Sequence, residues 1–338
     1  MLETIWFILW MLLWAVYFAL DGFDLGLGTL LPFIGHSEED RRAIYQAAGP
    51  FWDGNEVWLI AAGGVTFAAF PKAYAVMFSA LYTPLLMLLF ALILRAVSFE
   101  FRDKILSEVW VSLWDTIHFI VNLVACILLG CAFANLFMGI PIDAQGVFHG
   151  SLGGLLNVYG ITGALFFTSF FILHGALWLI LKSEGSLQIR AIASCNFIWP
   201  IEILLLLLFI WMTLARTNIL QNYLDTPALF IVPILTIAAL MATKAFLSAG
   251  QLWKAFGSHA LFILGITFTG LVGIYPGMIL SSLDPQATIT IFNGASSALT
   301  LKIMLGVVIV MVPIVIGYQV WMYRLFAKPL THEDLELH

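Results

Sequence analysis

The chain has 338 residues, of which 62% are hydrophobic and only 10% carry a charge. Soluble domains carry about 25% charged residues, so the composition excludes an ordinary water-soluble protein and indicates an integral membrane protein. The net charge of −6 says little about partners, because only the distribution of Lys and Arg is informative in a membrane protein. The sequence contains no phosphate-binding glycine loop, zincin pair, nucleophile elbow or basic nucleic-acid surface, so we expect no nucleic-acid partner.

Long apolar stretches follow one another along the whole chain. A helix that crosses the bilayer needs about 20 mainly apolar residues, and long runs without alternation exclude a membrane β-barrel. The sequence therefore predicts an all-α integral membrane protein, with residues 1–338 forming a single domain of nine transmembrane helices. The predicted helices lie near residues 5–33, 55–70, 74–95, 113–137, 157–181, 197–215, 228–246, 258–279 and 299–323.

The basic residues predict the orientation of this bundle. With the amino terminus outside and nine helices, eleven of the fourteen Lys and Arg residues face the cytoplasm, and the carboxyl terminus is cytoplasmic, as the positive-inside rule requires. The outer side keeps Lys72 and Arg216, with Lys302 at the outer start of the last helix. The inward residues are Arg41, Arg42, Arg95, Arg102, Lys104, Lys182, Arg190, Lys244, Lys254, Arg324 and Lys328.

Two carboxylates lie in the inner part of helix one. Asp21 and Asp24 are three residues apart and therefore share one helix face. An ionisable group at membrane depth costs about 2.5–3.5 kcal/mol on insertion scales, so it usually faces a bundle interior and handles ions, protons or substrate. The spacing of Gly22 and Gly26 beside them favours close packing of a neighbouring helix over a direct ligand contact.

Further carboxylates lie at the start of helix two. Asp53 and Glu56 lie in its first turns, where the positive end of the helix stabilises negative charge, and a capping role alone would explain Asp53. The flanking Trp52 and Trp58 and the pair on helix one favour a functional role. Desolvation by such neighbours should raise carboxylate pKa values and allow proton exchange near neutral pH.

Charged residues between helices three and four have a simpler interpretation. A charge cluster on the inner face is usually solvated and inert, and Asp115 is interpreted as the amino-terminal cap of helix four. The charged residues of that connection are Arg95, Glu100, Arg102, Asp103 and Lys104.

Histidines leave an alternative open. His118 on helix four and His174 on helix five are predicted at comparable depth, so a di-haem membrane cytochrome with these two ligands is conceivable. Membrane histidines are more often satisfied by hydrogen bonds across helices, and no metal site is predicted. We interpret His259, near the inner start of helix eight, as an interfacial residue. The three cysteines have no metal-site spacing and are interpreted as small core residues.

A secondary transporter is the other alternative. Asp21, Asp24 and Asp53 would then form its carboxylate cation site. Transporters usually break helices near the bilayer midplane at the binding site, whereas these residues are predicted toward the inner end.

At these residues the chain resembles subunit II of the cytochrome bd quinol oxidases, terminal respiratory oxidases of bacteria and archaea. The Trp-Asp-Gly-Asn-x-Val-Trp string of helix two is the most specific part, and the chain beyond about residue 185 matches mainly in helix count and hydrophobicity. The matching segments are residues 21–26 (DGFDLG), 52–59 (WDGNEVWL), 62–64 (AGG), 67–71 (FAAFP), 99–104 (FEFRDK), 114–115 (WD) and 132–135 (AFAN).

The resemblance implies a multi-pass subunit of a heterodimeric oxidase in the cytoplasmic membrane. Subunit I of such an enzyme binds three haems, of types b and d, and oxidises quinol, while subunit II binds none and is a pseudo-symmetric nine-helix relative. Oxygen and quinol are then substrates of the complex, surrounded by membrane lipid. Small single-helix accessory subunits and a structural quinone are further partners that the resemblance allows.

The resemblance also implies roles for particular residues. A cytoplasmic proton path maps onto Asp53 and Glu56, with Glu100 and Lys104 near its mouth, and Glu100 occupies a place where relatives carry Asp. Asp21 and Asp24 are expected to support that path. Trp58 is implied in a hydrophobic oxygen route from the bilayer.

Overall fold

Helices make up most of the chain in the computed structural model, which describes residues 1–330. The first half begins with a helix of 33 residues and contains both long and short helices. In chain order these are α1 (Leu2–Ile34), α2 (Glu38–Ala48), α3 (Trp52–Ala69), α4 (Pro71–Ala80), α5 (Tyr82–Phe101), a 3-10 helix at Arg102–Lys104 and α6 (Glu108–Met138).

The second half contains five further long helices and one small hairpin. The hairpin strands β1 (Gly277–Ile279) and β2 (Ile289–Thr290) pair antiparallel, with Gly277 opposite Thr290. The helices are α7 (Leu152–Leu155), α8 (Val158–Lys182), α9 (Gly185–Arg216), α10 (Leu220–Asp225), a 3-10 helix at Pro227–Phe230, α11 (Ile231–Ser248), α12 (Leu252–Ile274), a 3-10 helix at Pro285–Ala287 and α13 (Ala298–Leu325).

Within residues 1–330, eight helices are long and apolar enough to cross a membrane. They correspond to eight of the nine predicted spans. The remaining prediction, residues 55–70, is a helix of 18 residues, α3, whose first turns contain Asp53 and Glu56 and which is therefore more polar than the others. The predicted cytoplasmic carboxyl terminus lies outside the described residues. The eight spans are α1, α5 with its 3-10 extension, α6, α8, α9, α11 with its preceding 3-10 helix, α12 and α13.

Several predicted helix boundaries are wrong, and α9 begins at Gly185 rather than near residue 197. Residues 74–95 are not one helix, because the chain leaves helical geometry at Leu81 and the membrane-length span is Tyr82–Lys104. Pro84 lacks an amide hydrogen, so an unbroken helix would leave the carbonyl of Ala80 without its partner. The eighth span ends at Ile274 rather than residue 279, since Pro276 follows and Gly277 begins β1.

The amphipathic helix α2 was not predicted. Ser37 caps it by accepting a hydrogen bond from the Asp40 amide, and the Asp40 side chain accepts from the Ser37 amide in return. This reciprocal capping box, together with the apolar face that includes Ile44 and Tyr45, stabilises a short helix against α1. Three acids in its first turn lower its mean hydropathy, so a search for apolar runs passes over it.

Helix α1 lies at the centre of the bundle and packs against α3, α6, α8 and α12. Gly26 makes the closest approach, because a Cβ atom there would be 1.9 Å from the Phe171 carbonyl oxygen on α8. Gly175 on α8 lies opposite, where a Cβ atom would be 2.6 Å from the Gly26 backbone. The predicted packing role of Gly22 and Gly26 on helix one is therefore confirmed.

Helix α13 has the opposite character. Leu301 is its one buried residue, and most of its apolar side chains are exposed. Large apolar side chains of α3 and α5, such as Ile60 and Phe90, are also exposed. One flank of the bundle is therefore a wide apolar surface.

Candidate functional site

Asp21 and Arg95 form a buried ion pair at the middle of the first half. Asp21 lies on α1 and Arg95 on α5, and their side chains are 0% and 1% exposed. The guanidinium is bidentate, with Nη2 donating to Oδ1 at 2.7 Å and Nη1 to Oδ2 at 3.0 Å. A charge buried at this depth needs a partner in good geometry, and this fork supplies one.

Glu56 connects this pair to the surface. Arg95 Nη2 also donates to Glu56 Oε2 at 2.8 Å, while the Glu56 side chain keeps 22% exposure. One guanidinium therefore links a fully buried carboxylate on α1 to a partly open carboxylate on α3.

Asp24 continues the polar chain on the same face of α1. Its Oδ2 accepts from Asn55 Nδ2 at 2.8 Å, and Asn55 Oδ1 accepts from the Tyr323 hydroxyl at 2.9 Å. Asp24 has no cation partner within the described residues. We call Asp21, Asp24, Asn55, Glu56 and Arg95 the acidic network.

Several atoms of this network lack hydrogen-bond partners. Asp24 Oδ1, Arg95 Nε and the hydroxyl of the neighbouring Tyr17 are buried without a partner among residues 1–330. Buried polar groups are nearly always paired with protein or ordered water, and a lone unpaired atom is expensive. Three such atoms lie around one pair of carboxylates, so the hydrogen bonds of this region are incomplete within residues 1–330.

Other predicted site residues lie outside this buried set. Asp53, Glu100 and Lys104 are exposed and make no hydrogen bond or ion pair in the part of the chain that the structure describes. Asp53 is therefore not desolvated by its tryptophan neighbours within this chain, contrary to the expectation, because Trp52 stacks on Phe99 instead. The Trp58 indole is buried and donates to Gln319 on α13 at 3.1 Å.

The interpretation of Arg95 and Arg102 as a solvated charge cluster is wrong, since both are 1% exposed. Arg102 Nε donates to Asp115 Oδ1 at 2.6 Å, and its other nitrogens bind Glu38 at 2.9 Å. Asp115 lies two turns inside α6, so it is an ion-pair partner and not a helix cap. A sequence alone does not show which of several clustered arginines turns inward.

Two acids of α2, Glu38 and Asp40, form ion pairs with Arg102 and Arg190, and we call these pairs the ion-pair layer. Arg190 Nη2 on α9 lies 2.6 Å from Asp40 Oδ2. Although burial opposes the change, hydrogen bonds from Ser37 and the charge of Arg190 lower the pKa of Asp40. Burial likewise tends to raise the pKa of Glu38, but the charges and hydrogen bonds of Arg102 and Arg42 outweigh burial and lower this pKa.

His118 and His174 lie in different surroundings. His118 Nδ1 is 2.6 Å from the Ser98 hydroxyl, and its ring packs on Tyr45. His174 Nε2 lies 2.9 Å from the Ala19 carbonyl oxygen. Hydrogen bonds across helices thus account for both histidines, which was the simpler interpretation. Among residues 1–330, no group of three or more His, Cys, Asp or Glu side chains has the arrangement to hold a metal ion.

Sequence reasoning missed a second buried polar cluster. His259 Nδ1 lies 3.1 Å from His174 Nδ1, and His259 Nε2 lies 3.2 and 3.4 Å from the two oxygens of Glu202. All three side chains are 0% exposed, so the interfacial interpretation of His259 is wrong. We call Glu202, His259 and His174 the histidine cluster. Glu202 is the one acid in an otherwise apolar stretch of α9. An ionisable residue at membrane depth usually faces the bundle interior and has a function, and this rule, applied above to Asp21, would have identified Glu202.

Comparison with known proteins places these clusters in a family context. The family model for cytochrome bd terminal oxidase subunit II matches residues 2–326. Cytochrome bd ubiquinol oxidase subunit 2 of Bacillus subtilis (strain 168) is 35% identical over 98% of this chain and 98% of its own length. Cytochrome bd-I ubiquinol oxidase subunit 2 of Escherichia coli (strain K12) is 30% identical over 99% and 97%.

A solved structure shares the fold. One chain in the structure of the bd oxidase from Geobacillus thermodenitrificans superposes on this chain with a TM-score of 0.79 at 17% identity. The match covers 96% of this chain and 98% of the other. At that identity the likeness supports the helical architecture alone.

Proposed function

The chain belongs to the cytochrome bd terminal oxidase subunit II family, and we propose that its acidic network is a proton path for oxygen reduction in the complex. It is a multi-pass membrane subunit of an oxidoreductase, and the family implies haems in the complex and a subunit I partner. The haems, of types b and d, belong to that partner in this proposal. Reducing oxygen to water consumes protons, and drawing them from the cytoplasm builds a membrane potential.

The charge balance of the acidic network supports proton binding. The acidic network contains three carboxylates, those of Asp21, Asp24 and Glu56, and one guanidinium, that of Arg95, which binds Asp21 and Glu56. Full ionisation of all three would leave two uncompensated negative charges in a buried site, which costs free energy. Binding a proton removes one of those charges, so the network is suited to taking up and passing on protons.

The partnerless atoms carry this proposal. Tyr17 Oη, Asp24 Oδ1 and Arg95 Nε are the places where water would complete a hydrogen-bonded chain between the carboxylates. Protons move along such chains by exchange between neighbouring oxygens. Glu56, with 22% exposure, is the end that bulk water reaches.

The exposed residues Asp53, Glu100 and Lys104 form the outer mouth in this proposal. Asp53 lies one turn before Glu56 on α3, and Glu100 lies little more than one turn after Arg95 on α5. An exposed carboxylate collects protons from water without needing a perturbed pKa. Their contribution should therefore be smaller than that of Glu56.

The test is Glu56→Gln in the complete oxidase. The amide keeps the volume and can still accept from Arg95, but it cannot carry a proton. We expect quinol-dependent oxygen consumption to fall about tenfold, equivalent to about 1.4 kcal/mol of barrier, with haem content unchanged. Asp53→Asn and Glu100→Gln should each give a smaller loss.

Glu184→Gln is the matched control, because Glu184 is exposed near the start of α9 and binds no other side chain in residues 1–330. Its turnover should equal that of the unaltered enzyme. Unchanged oxygen consumption in Glu56→Gln, at full haem content, would remove the acidic network from the proton path.

The apolar flank made by α13, α3 and α5 supports docking of subunit I. Large apolar side chains are exposed along α13, α3 and α5, and Gln319 and Tyr323 already tie α13 to α3. A charged substitution such as Ile60→Lys should reduce recovery of the partner with this chain. Full recovery would argue for lipid on that flank.

The ion-pair layer supports the proposed orientation. Glu38 and Asp40 of α2 bind Arg102 and Arg190, so these segments meet at one end of the bundle, where basic residues are concentrated. The Thr4 and Tyr275 hydroxyls meet at the other end, near the hairpin. We place the basic end in the bacterial cytoplasm. In this proposal α3 also crosses the membrane, which brings the number of crossings to nine. Labelling of Arg42→Cys by a membrane-impermeant reagent in intact cells would contradict this.

Trp58 supports an oxygen route between α3 and α13. Its ring is buried beside Val57 and Ile60, which are exposed on the apolar flank. Oxygen partitions into apolar surroundings, so a path along this flank reaches the partner directly. Trp58→Phe should change the oxygen concentration for half-maximal turnover more than the maximal rate, and an unchanged oxygen dependence would exclude the route.

An apolar cavity of about 370 Å³ offers a place for a quinone as a structural ligand. It lies between α6, α8, α9, α11 and α12 and is lined by Phe133, Phe166, Phe209 and Ile266, among others. Its size is in the range of small-molecule sites. Organic extraction of the purified complex should recover a quinone in stoichiometric amount, and its loss on Ile266→Trp would locate it here.

A further inference from the structure

The histidine cluster has a hydrogen-bond order that can be worked out from one fixed acceptor. A backbone carbonyl only accepts, so His174 Nε2 must carry a hydrogen and donate to Ala19. The facing Nδ1 atoms of His174 and His259, 3.1 Å apart, share one hydrogen between them. The last link, between His259 Nε2 and Glu202, holds one more hydrogen.

This arrangement holds one more proton than a neutral histidine pair beside a carboxylate would. In one form Glu202 is a carboxylic acid that donates to His259, and both histidines are neutral. In the others Glu202 is ionised, and the proton lies on His259 or, after one more transfer, on His174. The heavy atoms have the same positions in all three forms, so the proton moves without rearrangement of the helices.

The surroundings decide where the proton rests. His174 stacks on Phe256 with ring centres 4.5 Å apart, His259 packs on Phe262, and all three members of the cluster are 0% exposed. An ion pair with no second hydrogen-bond partner does not repay its desolvation in such an environment. The neutral form, with the proton on Glu202, is therefore the stable one.

We propose that Glu202, His259 and His174 form a proton-binding site, separate from the acidic network, in which a single proton rests on Glu202 and moves toward His174. The site is closed at the Ala19 carbonyl, which cannot pass a proton on. Exchange with water therefore takes place at the Glu202 end. A chelated metal ion is excluded as the ligand of this site, because the two nitrogens of His259 face different partners.

No other charged group takes part in the cluster. Helix α9 contributes the buried thiol of Cys195, two turns before Glu202, and α11 contributes Lys244, which binds Asn196. On α1 the nearest acid is Asp21, already paired with Arg95. On α8 Lys182 binds the carbonyls of Phe326 and Lys328, and on α12 Lys254 lies over the Phe246 ring. None of these hydrogen-bonds to the cluster within residues 1–330.

Infrared spectroscopy of the complete oxidase tests the proposal. The unaltered complex should show the carbonyl stretch of a protonated, water-inaccessible carboxylic acid, which shifts in D₂O only slowly. Glu202→Gln should lose this band and keep haem content, while Glu184→Gln should lose nothing in that region. A spectrum in which Glu202→Gln removes a carboxylate band instead, or no band, would overturn the proposal.

A second measurement does not depend on the folding of a variant. Nitrogen-15 NMR of histidine-labelled, unaltered complex should show that His259 and His174 are slowly exchanging neutral histidines, with His259 protonated on Nδ1 and His174 on Nε2. A buried imidazolium signal would mean that the ion pair is the resting form and would contradict the assignment. In His259→Phe the acid of Glu202 should persist, with its carbonyl stretch at higher frequency because its acceptor is gone.

Discussion

The chain contains two buried polar clusters, and each stabilises buried carboxyl groups in a different way. The acidic network between α1, α3 and α5 is charged, with Arg95 compensating Asp21 and Glu56. The histidine cluster between α8, α9 and α12 contains no permanent cation, and its carboxyl group faces an imidazole. Three buried atoms in and around the network lack partners, whereas no atom of the histidine cluster does within residues 1–330.

This difference fits the proposed roles of the two clusters, which are proton conduction in the acidic network and proton storage in the histidine cluster. A path must exchange protons at both ends, so it needs charge, water positions and an opening such as the partly exposed Glu56. A site that holds a proton needs a fully satisfied, closed set of partners, as His174 and its neighbours have. The polar residues of a membrane bundle are therefore better sorted by the completeness of their hydrogen bonds than by their charge alone.

The largest effect should come from breaking the charge balance of the network. Arg95→Leu leaves Asp21 buried without its partner, and breaking a buried pair in this way costs about 3–5 kcal/mol. We expect a much lower thermal unfolding temperature of the purified complex and loss of oxygen consumption. Arg216→Leu, at an exposed arginine on α9, is the control and should change neither.

The double variant Asp21→Leu with Arg95→Leu sharpens this experiment. Replacing both members of a buried pair by apolar groups is often neutral for stability, so the unfolding temperature should recover. Oxygen consumption should stay low, because the proton path is still missing. If activity returned with stability, the pair would serve packing alone.

At Asp24 we expect a smaller effect on stability than at Arg95, together with a large effect on turnover. Asp24→Asn removes a carboxylate that has no cation partner and keeps a side chain able to accept from Asn55. The unfolding temperature should stay the same or rise slightly. Turnover should fall by about a hundredfold if Asp24 transfers protons, a typical size for a lost acid–base group. Equal turnover at equal haem content would place Asp24 outside the path.

Much of the architecture could be predicted from the sequence because the bilayer imposes it. Apolar runs predicted eight spans that the structure contains, and the spacing of Gly22 and Gly26 indicated close packing of a neighbouring helix, which is α8. The break at Leu81 and the helix α2 were missed, because both depend on local hydrogen bonds and capping and not on hydropathy.

The candidate site was predicted only in part. Asp21 and Asp24 are both buried, and their spacing places them on one face of α1, but Asp21 pairs with Arg95, which was taken for a surface charge, and Asp24 with Asn55. Whether a long side chain near a helix end turns inward depends on the carboxylate it meets there, and that contact joins residues 74 positions apart. Glu202 and His259 meet in the same way across 57 positions, so no local pattern announces the histidine cluster.

The smallest effect is expected at the ion pairs of α2, which keep partial contact with water. The lowered pKa values of Glu38 and Asp40 mean that both acids stabilise the fold when ionised, and this stabilisation is lost as the pH falls below about 4 and through their folded-state pKa values. Hydrogen exchange of the α2 backbone should therefore accelerate on acidification. Asp40→Asn should already show faster exchange at pH 7, and Glu184→Gln should not. Because the side chains of Asp40 and its partner Arg190 keep 13% and 24% exposure, this pair should contribute less than the fully buried pair of Arg95, and the thermal stability of the whole complex should fall less than in Arg95→Leu. A large loss of global stability in Asp40→Asn would show that α2 holds the bundle together and is not a separate surface element.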